Sequence, residues 1–136
     1  MRLKMRKNLV FLGGSLCLIW GIAHLIPTGN VMKGFGNISV DNFHIINMEW
    51  INEGLTLIFI GLLTIVATIT SKNETRVIKA VYFLAFIMLM AMSVLSLFTG
   101  FKIDFLPFRL CPFIFTVSGL LILQGIRSGK METLSN

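Results

Sequence analysis

The stretch 77–98, VIKAVYFLAFIMLMAMSVLSLF, decides the fold class of this chain. It carries one charged residue, Lys79, near its start. As an α-helix rising about 1.5 Å per residue it extends about 33 Å, which is enough to cross the ~30 Å hydrocarbon core of a bilayer. A barrel strand is excluded, because barrel strands alternate polar and apolar residues over about ten positions. The stretch therefore predicts a transmembrane helix.

Three further apolar runs have the same character, which gives four predicted spans over residues 9–26, 54–69, 77–98 and 105–126. The 136 residues are 55% hydrophobic and 13% charged, with a mean hydropathy of +0.84. A soluble domain has about a quarter charged residues, and a disordered chain has far fewer apolar ones. Both classes are therefore excluded. The sequence predicts an all-α integral membrane four-helix bundle that forms one domain over residues 1–136.

Basic residues are unevenly distributed between the two ends of the predicted spans. Nine of the twelve flank one side, namely Arg2, Lys4, Arg6, Lys7, Lys72, Arg76, Lys79, Arg127 and Lys130. Four of the six acidic residues fall on the other side, namely Asp41, Glu49, Glu53 and Asp104. The positive-inside rule then predicts cytoplasmic N and C termini in a multi-pass membrane protein. The net charge of +6 reflects this topology and attraction to anionic membrane lipids, so nucleic acid is not an expected partner.

Small residues recur along the first span at the spacing of one helix face, as Gly13, Cys17, Gly21 and His24. Such a stripe lets another helix approach closely, so we expect His24 to point into the bundle near its outer end. Two interpretations remain open for this histidine: a hydrogen bond to a backbone carbonyl, or a functional role. Cys17 and Cys111 form no C-x-x-C pair and are expected to be packing residues.

Two acidic residues, Glu49 and Glu53, lie one turn apart at the start of the second span. Their face continues through small and polar positions, and we expect it to point inward; its further members are Thr56, Ile60, Thr64 and Ala67. Glu53 is predicted to lie at the depth of His24. The alternative for Glu49 is a solvated acid that interacts with the helix dipole.

The fourth span contains an arginine, Arg109, more than one turn inside the apolar run. Pro112 removes a backbone donor and is expected to kink this outer end. A buried arginine needs an anionic partner, for which Glu53 and Glu49 are the candidates. One hypothesis is a structural ion pair between helices. The other is that Arg109 holds a ligand carboxylate, phosphate or oxyanion, with Glu53 and His24 as proton donor and acceptor at a catalytic site.

Residues 27–53 form an unusually long connection between the first two spans. Turn signals are followed by persistent apolar residues, which is typical of a segment that lies on the membrane surface or folds over the outer mouth of the bundle. Trp50 and Trp20 fit the aromatic belts of a membrane interface. The ligand-binding candidates near this mouth are Glu49, Trp50, Asp41, His44 and Asn52.

The chain lacks the common cofactor and metal motifs, including the P-loop, the dinucleotide fingerprint, H-E-x-x-H and zinc-ligand spacing. A bis-histidine haem would require the loop to fold inward, since one of the two histidines lies in it. The residues therefore identify no cofactor and no metal site.

The stretch 21–27, GIAHLIP, closes the first span of a four-span chain of this length. In this it resembles the DoxX-like group of small bacterial membrane proteins. The long connection before Met48 differs from what the resemblance implies. The resemblance implies an inner-membrane protein, and in some relatives an association with quinone or sulfur redox partners. It transfers no catalytic residue to this chain.

Two functions follow from the polar cluster of His24, Glu53 and Arg109. In the first, the protein is a binding or accessory membrane subunit in which these residues hold the helices together; the resemblance implies that it serves a lipophilic small molecule, such as a quinone, or a redox partner. In the second, it is a small enzyme of isomerase, hydrolase or cyclase type that performs acid/base chemistry on a lipophilic substrate. A homodimer is a further expectation for so small a chain.

Overall fold

A computed structural model describes residues 2–70, 75–99 and 106–126, and in these residues the chain forms five helices. They are α1 (Arg2–Leu25), α2 (Thr28–Gly34), α3 (Val40–Thr70), α4 (Arg76–Thr99) and α5 (Leu106–Leu123). The predicted all-α class is confirmed for this part of the chain. Several charges used to predict the orientation lie outside the described residues, namely Lys72, Asp104, Arg127 and Lys130.

Three of the helices contain segments long and apolar enough to cross a membrane: Arg6–Leu25, Val40–Thr70 and Arg76–Thr99. The fourth predicted span corresponds to α5, whose apolar part, Phe108–Leu123, is shorter. The first residue of that predicted span, Phe105, lies outside the described residues. Three such helices indicate a membrane protein.

The second long helix begins much earlier than its apolar run, and this corrects the predicted connection over residues 27–53. Residues 28–34 form α2, and residues 40–53 are the first turns of α3. The hydroxyl of Ser39 accepts a hydrogen bond from the backbone N–H of Asn42 at 3.2 Å, which caps the helix. At 31 residues, α3 is about 46 Å long and exceeds the hydrocarbon thickness. Hydropathy detected only the apolar part of a helix that continues through charged residues.

Helix α1 occupies the centre of the packing, against α3 on one side and α5 on another, while α4 packs mainly on α5. The buried core contains side chains from all four long helices, among them Val10, Cys17, Leu57, Leu89, Phe115 and Ile122. The thiol of Cys17 donates to the backbone carbonyl of Leu57 at 3.3 Å. The predicted inward stripe of α1 is confirmed, because Gly13, Cys17, Gly21 and His24 are all buried.

Helices α1 and α3 run antiparallel with their backbones in direct contact at paired glycines. Gly21 lies against Gly54, and Gly14 lies against Gly61. A Cβ atom on Gly21 would be 2.8 Å from the backbone nitrogen of Ile58, and one on Gly61 would be 2.8 Å from the carbonyl oxygen of Gly14. Because these neighbours are backbone atoms, no side-chain rotation could relieve the contact. The glycine pairs therefore set the separation of the two helices.

The inward face of α3 is rotated from the predicted one. Its buried positions follow a three- and four-residue spacing through Trp50, Gly54, Leu57, Gly61, Thr64 and Thr68. Ile60 and Thr64 are buried as predicted, whereas Glu49 is exposed and Glu53 is half-buried at the edge of the face. The prediction followed polarity, but the packing follows the glycines, because they allow the closest approach to α1.

Candidate functional site

His24 lies in the last turn of α1 and is buried, with 7% of its surface exposed. Its imidazole stacks on the indole of Trp50, with ring centroids 3.9 Å apart and an angle of 18° between the planes. Trp50 itself is 7% exposed, so its indole packs between the helices; its place at the membrane interface stays a prediction. The face-to-face contact joins the C-terminal end of α1 to α3.

The imidazole nitrogen Nε2 of His24 lies 3.2 Å from the backbone carbonyl oxygen of Trp50. It also lies 3.8 Å from Oε2 of Glu53, which confirms that Glu53 and His24 share the same depth. A carbonyl oxygen only accepts hydrogen bonds, so in the neutral imidazole the proton is on Nε2 and donates to Trp50. The structure thus contains the carbonyl-bonded histidine of the first interpretation and also brings a carboxylate close to it.

Trp50 is held in place at its indole nitrogen as well as at its ring face. Nε1 donates to the hydroxyl oxygen of Thr28 at 3.1 Å. The Thr28 hydroxyl in turn donates to the carbonyl of Leu25 at 2.6 Å. This chain of bonds attaches the start of α2 to the end of α1, and it fixes the orientation of the indole. The wall that Trp50 forms is therefore rigid.

A cavity of about 170 Å³ lies beside these rings. Its lining comes from α1, α3, α5 and the turn after α1, and consists of Trp20, Ala23, His24, Pro27, Trp50, Phe108 and Cys111. Phe108 meets Trp50 edge to face, with centroids 5.3 Å apart. An apolar cavity of about 150 Å³ is known to stay dry and to hold a benzene molecule. This cavity therefore has room for one aromatic ring.

The structure brings together only some of the predicted site residues. His24 and Trp50 line the cavity, and Glu53 is next to His24. Arg109 directly follows the lining residue Phe108 in the first turn of α5, and its side chain is exposed. The predicted ion pair between Arg109 and a glutamate stays a prediction.

The remaining ligand-binding candidates lie on the N-terminal turns of α3 and do not line the cavity. They are the exposed side chains of Asp41, His44, Glu49 and Asn52. His44 makes an edge contact with the ring of Phe43, at a centroid distance of 5.7 Å. Because residues 40–53 are helical, these side chains are spread around an extended helix and do not fold over the bundle as a surface lid.

Sequence reasoning did not assign Ala23, Pro27, Phe108 or Cys111 to the site, and it placed Trp20 only in an aromatic belt. The spacing in the sequence did indicate a shared helix face. Ala23, His24 and Pro27 follow Trp20 by three, four and seven residues. Phe108 and Cys111 likewise share a face of α5. The rotation of α5 about its own axis could not be predicted from the sequence, and this rotation brings that face to the same cavity as His24.

The described residues contain no group of three or more His, Cys, Asp or Glu side chains placed to hold a metal ion. Comparisons with protein-family models, curated proteins and solved structures found no match for the chain. The resemblance to the DoxX-like group accordingly stays a prediction based on residues 21–27. The lining of the cavity contains three aromatic residues, Trp20, Trp50 and Phe108, and the imidazole of His24.

Proposed function

We propose that this protein is a small binding or accessory subunit of the inner membrane that holds a ring-sized lipophilic molecule in the cavity. The observation that carries the proposal is the aromatic enclosure formed by Trp20, Trp50 and Phe108 around about 170 Å³. Binding sites for small molecules are typically preformed, mostly apolar and equipped with a few polar groups. Two polar groups lie in this lining: the imidazole of His24 and the indole N–H of Trp20, whose Nε1 is buried without a hydrogen-bond partner among the described residues.

The cavity offers an entry route for a ligand dissolved in the bilayer. Ala23 lines the cavity, and its side chain is also exposed on the surface of the bundle. A molecule that partitions into lipid would therefore reach the rings of Trp20 and Trp50 without crossing the core. The rings would contribute dispersion and stacking energy, and Trp50 would do so at little entropic cost, because its orientation is already fixed.

The topology within the proposal is a four-span bundle with both termini cytoplasmic and the cavity on the outer side. Arg6, Lys7, Arg76 and Lys79 cluster at one end of α1 and α4, while Asp41, Glu49 and Glu53 lie at the opposite end of α3. Green fluorescent protein fused to the C-terminus should fluoresce in the cytoplasm. If green fluorescent protein fused to the C-terminus were dark and alkaline phosphatase fused at the same place were active outside the cytoplasm, this orientation would be refuted.

A second candidate function is acid/base catalysis on a lipophilic substrate, favoured by the 3.8 Å approach of Glu53 to His24 in the cavity wall. Glu53→Gln separates the two functions through stability in detergent. If the carboxylate serves catalysis, its replacement leaves stability unchanged or raises it, because active-site groups are placed at some cost to folding. If Glu53 only joins the helices, the variant loses stability.

Intrinsic fluorescence provides the test of binding, because the two tryptophans of the chain, Trp20 and Trp50, both line the cavity. We expect bromobenzene, a ring-sized heavy-atom quencher, to quench the purified protein saturably in detergent micelles. Ala23→Phe fills the mouth of the cavity and should abolish the saturable component. The matched control is Ala91→Phe on α4, where the alanine is exposed and does not line the cavity.

The proposal is supported if Ala91→Phe retains saturable quenching and Ala23→Phe loses it. Linear, non-saturating quenching that is the same in all three proteins would refute it, because this pattern reports collisions of the quencher within the micelle. Quenching that saturates equally in both variants would place the bound ring somewhere else.

A further inference from the structure

The indole nitrogen of Trp20 is a buried hydrogen-bond donor. Its Nε1 atom is closed off from solvent and has no hydrogen-bond partner in the described part of the chain. An indole N–H can only donate, so no change of tautomer relieves it. A buried donor in this state costs free energy unless another group, such as a bound molecule, satisfies it.

A contact between Trp20 and Cys111 locates this donor relative to the cavity. The two side chains make a polar contact across α1 and α5, and both residues line the cavity. Because Nε1 is the single polar atom of a tryptophan side chain, the contact places the N–H beside the thiol, on the side of α1 that faces the cavity. The thiol does not satisfy it, since sulfur is a weak acceptor and the contact lacks hydrogen-bond geometry.

The other side-chain N–H groups near the rings already have acceptors. Nε1 of Trp50 donates to the hydroxyl of Thr28 at 3.1 Å, and Nε2 of His24 is bonded to the carbonyl of Trp50 at 3.2 Å. Among the described residues of the lining, Trp20 is therefore the one whose N–H is left for an occupant of the cavity.

We propose that the occupant is an aromatic carbonyl compound, that is, a ring whose carbonyl oxygen accepts a hydrogen bond from Nε1 of Trp20. This inference rests on the proposed binding function and specifies its ligand class. The ring matches the aromatic enclosure, and the oxygen matches the donor. A carbonyl oxygen is a much stronger acceptor than sulfur, so binding replaces the weak contact with Cys111 by a full hydrogen bond.

The surroundings of the donor favour an uncharged acceptor. A carboxylate would also accept from Nε1, but the described residues of the lining include no Lys or Arg to neutralise it. The negative charge of Glu53 moreover acts on Cys111 in the same lining. A group that only donates, such as an ammonium, would leave the N–H without a partner. A carbonyl oxygen accepts the bond and brings neither a charge nor a further proton.

The test compares benzaldehyde with styrene, two planar molecules of nearly the same size with a carbonyl oxygen and a CH2 group at the same place. Each is titrated into the full chain, isotope-labelled at its two tryptophans, in detergent micelles. NMR then follows the two indole N–H signals, which Trp20→Phe assigns. Benzaldehyde should move the Trp20 proton downfield relative to styrene, because an accepted hydrogen bond deshields it. The Trp50 proton, bonded to Thr28, should respond alike to both compounds.

Affinities from the same titrations, corrected for partitioning into protein-free micelles, provide the second readout. We expect benzaldehyde to bind about tenfold more tightly than styrene, which is the value of one buried hydrogen bond. Trp20→Phe keeps an aromatic ring in the wall but removes the donor. In this variant the two affinities, followed at the Trp50 signal, should become equal.

If benzaldehyde binds no more tightly than styrene, or leaves the Trp20 proton where styrene leaves it, the carbonyl class is overturned while ring binding remains. A preference that persists in Trp20→Phe would contradict the assigned donor. If neither compound gives saturable shifts, the proposed function itself fails. If Trp20→Phe does not fold, Cys111→Ala assigns the Trp20 signal, because it removes the neighbouring thiol. Benzaldehyde should still move that signal downfield, and an unchanged signal would refute the proposal.

Discussion

The imidazole of His24 and the indole of Trp50 lie face to face, 3.9 Å apart, although 26 residues separate them in the chain. A hydrogen bond from Nε2 to the carbonyl of Trp50 accompanies the stacking. The two contacts join the C-terminal end of α1 to α3 where the cavity begins. Their combination holds the two rings in place where they line the cavity.

Thr28→Val should loosen this wall. It removes the acceptor of the Trp50 Nε1 bond and the hydroxyl that caps the carbonyl of Leu25. We expect a loss of about 1 kcal/mol in the free energy of unfolding in mixed micelles, together with a red-shifted emission of Trp50 in a Trp20→Phe background. Thr70→Val is the control, because the Thr70 hydroxyl donates only to Val66 of its own helix. Equal effects of the two variants would count against an ordered indole.

The close approach of α1 and α3 predicts a sharp difference among glycine substitutions. Gly21→Ala and Gly61→Ala each place a Cβ atom 2.7 to 2.9 Å from backbone atoms, so the helices must separate. We expect each to cost on the order of 2 kcal/mol of unfolding free energy. The control Gly29→Ala adds a methyl group in open space within α2, and should be neutral or slightly stabilising. Unchanged stability of Gly21→Ala would show that the glycine contact is not required.

The two cysteines report separately on the cavity and on the core. Cys111 lines the cavity, whereas Cys17 is bonded to the carbonyl of Leu57. In Cys17→Ala protein, saturating bromobenzene should slow the modification of Cys111 by methyl methanethiosulfonate several-fold, because the ring occupies the space that the reagent needs. In Cys111→Ala protein, bromobenzene should not change the rate at Cys17, as followed by mass spectrometry. Equal protection of both thiols would indicate a general tightening of the bundle.

The sequence predicted the helical class, the inward stripe of α1 and the shared depth of His24 and Glu53. These features depend on local hydropathy and on helix periodicity, which a single chain reveals. It did not predict that α3 begins at Val40, because hydropathy responds to the charges at Asp41 and Glu49 and not to the cap at Ser39. It also missed Phe108 and Cys111, because their role depends on how α5 is rotated against α1, which is a property of tertiary packing.

The location of a bound ring tests the central claim most directly. Crystals of the protein grown with bromobenzene and measured at the bromine absorption edge would show where the molecule lies. We predict one strong anomalous peak within the cavity, between the rings of Trp20, Trp50 and Phe108. Bromine peaks confined to the lipid-facing surface of the helices, with the cavity empty, would contradict the account.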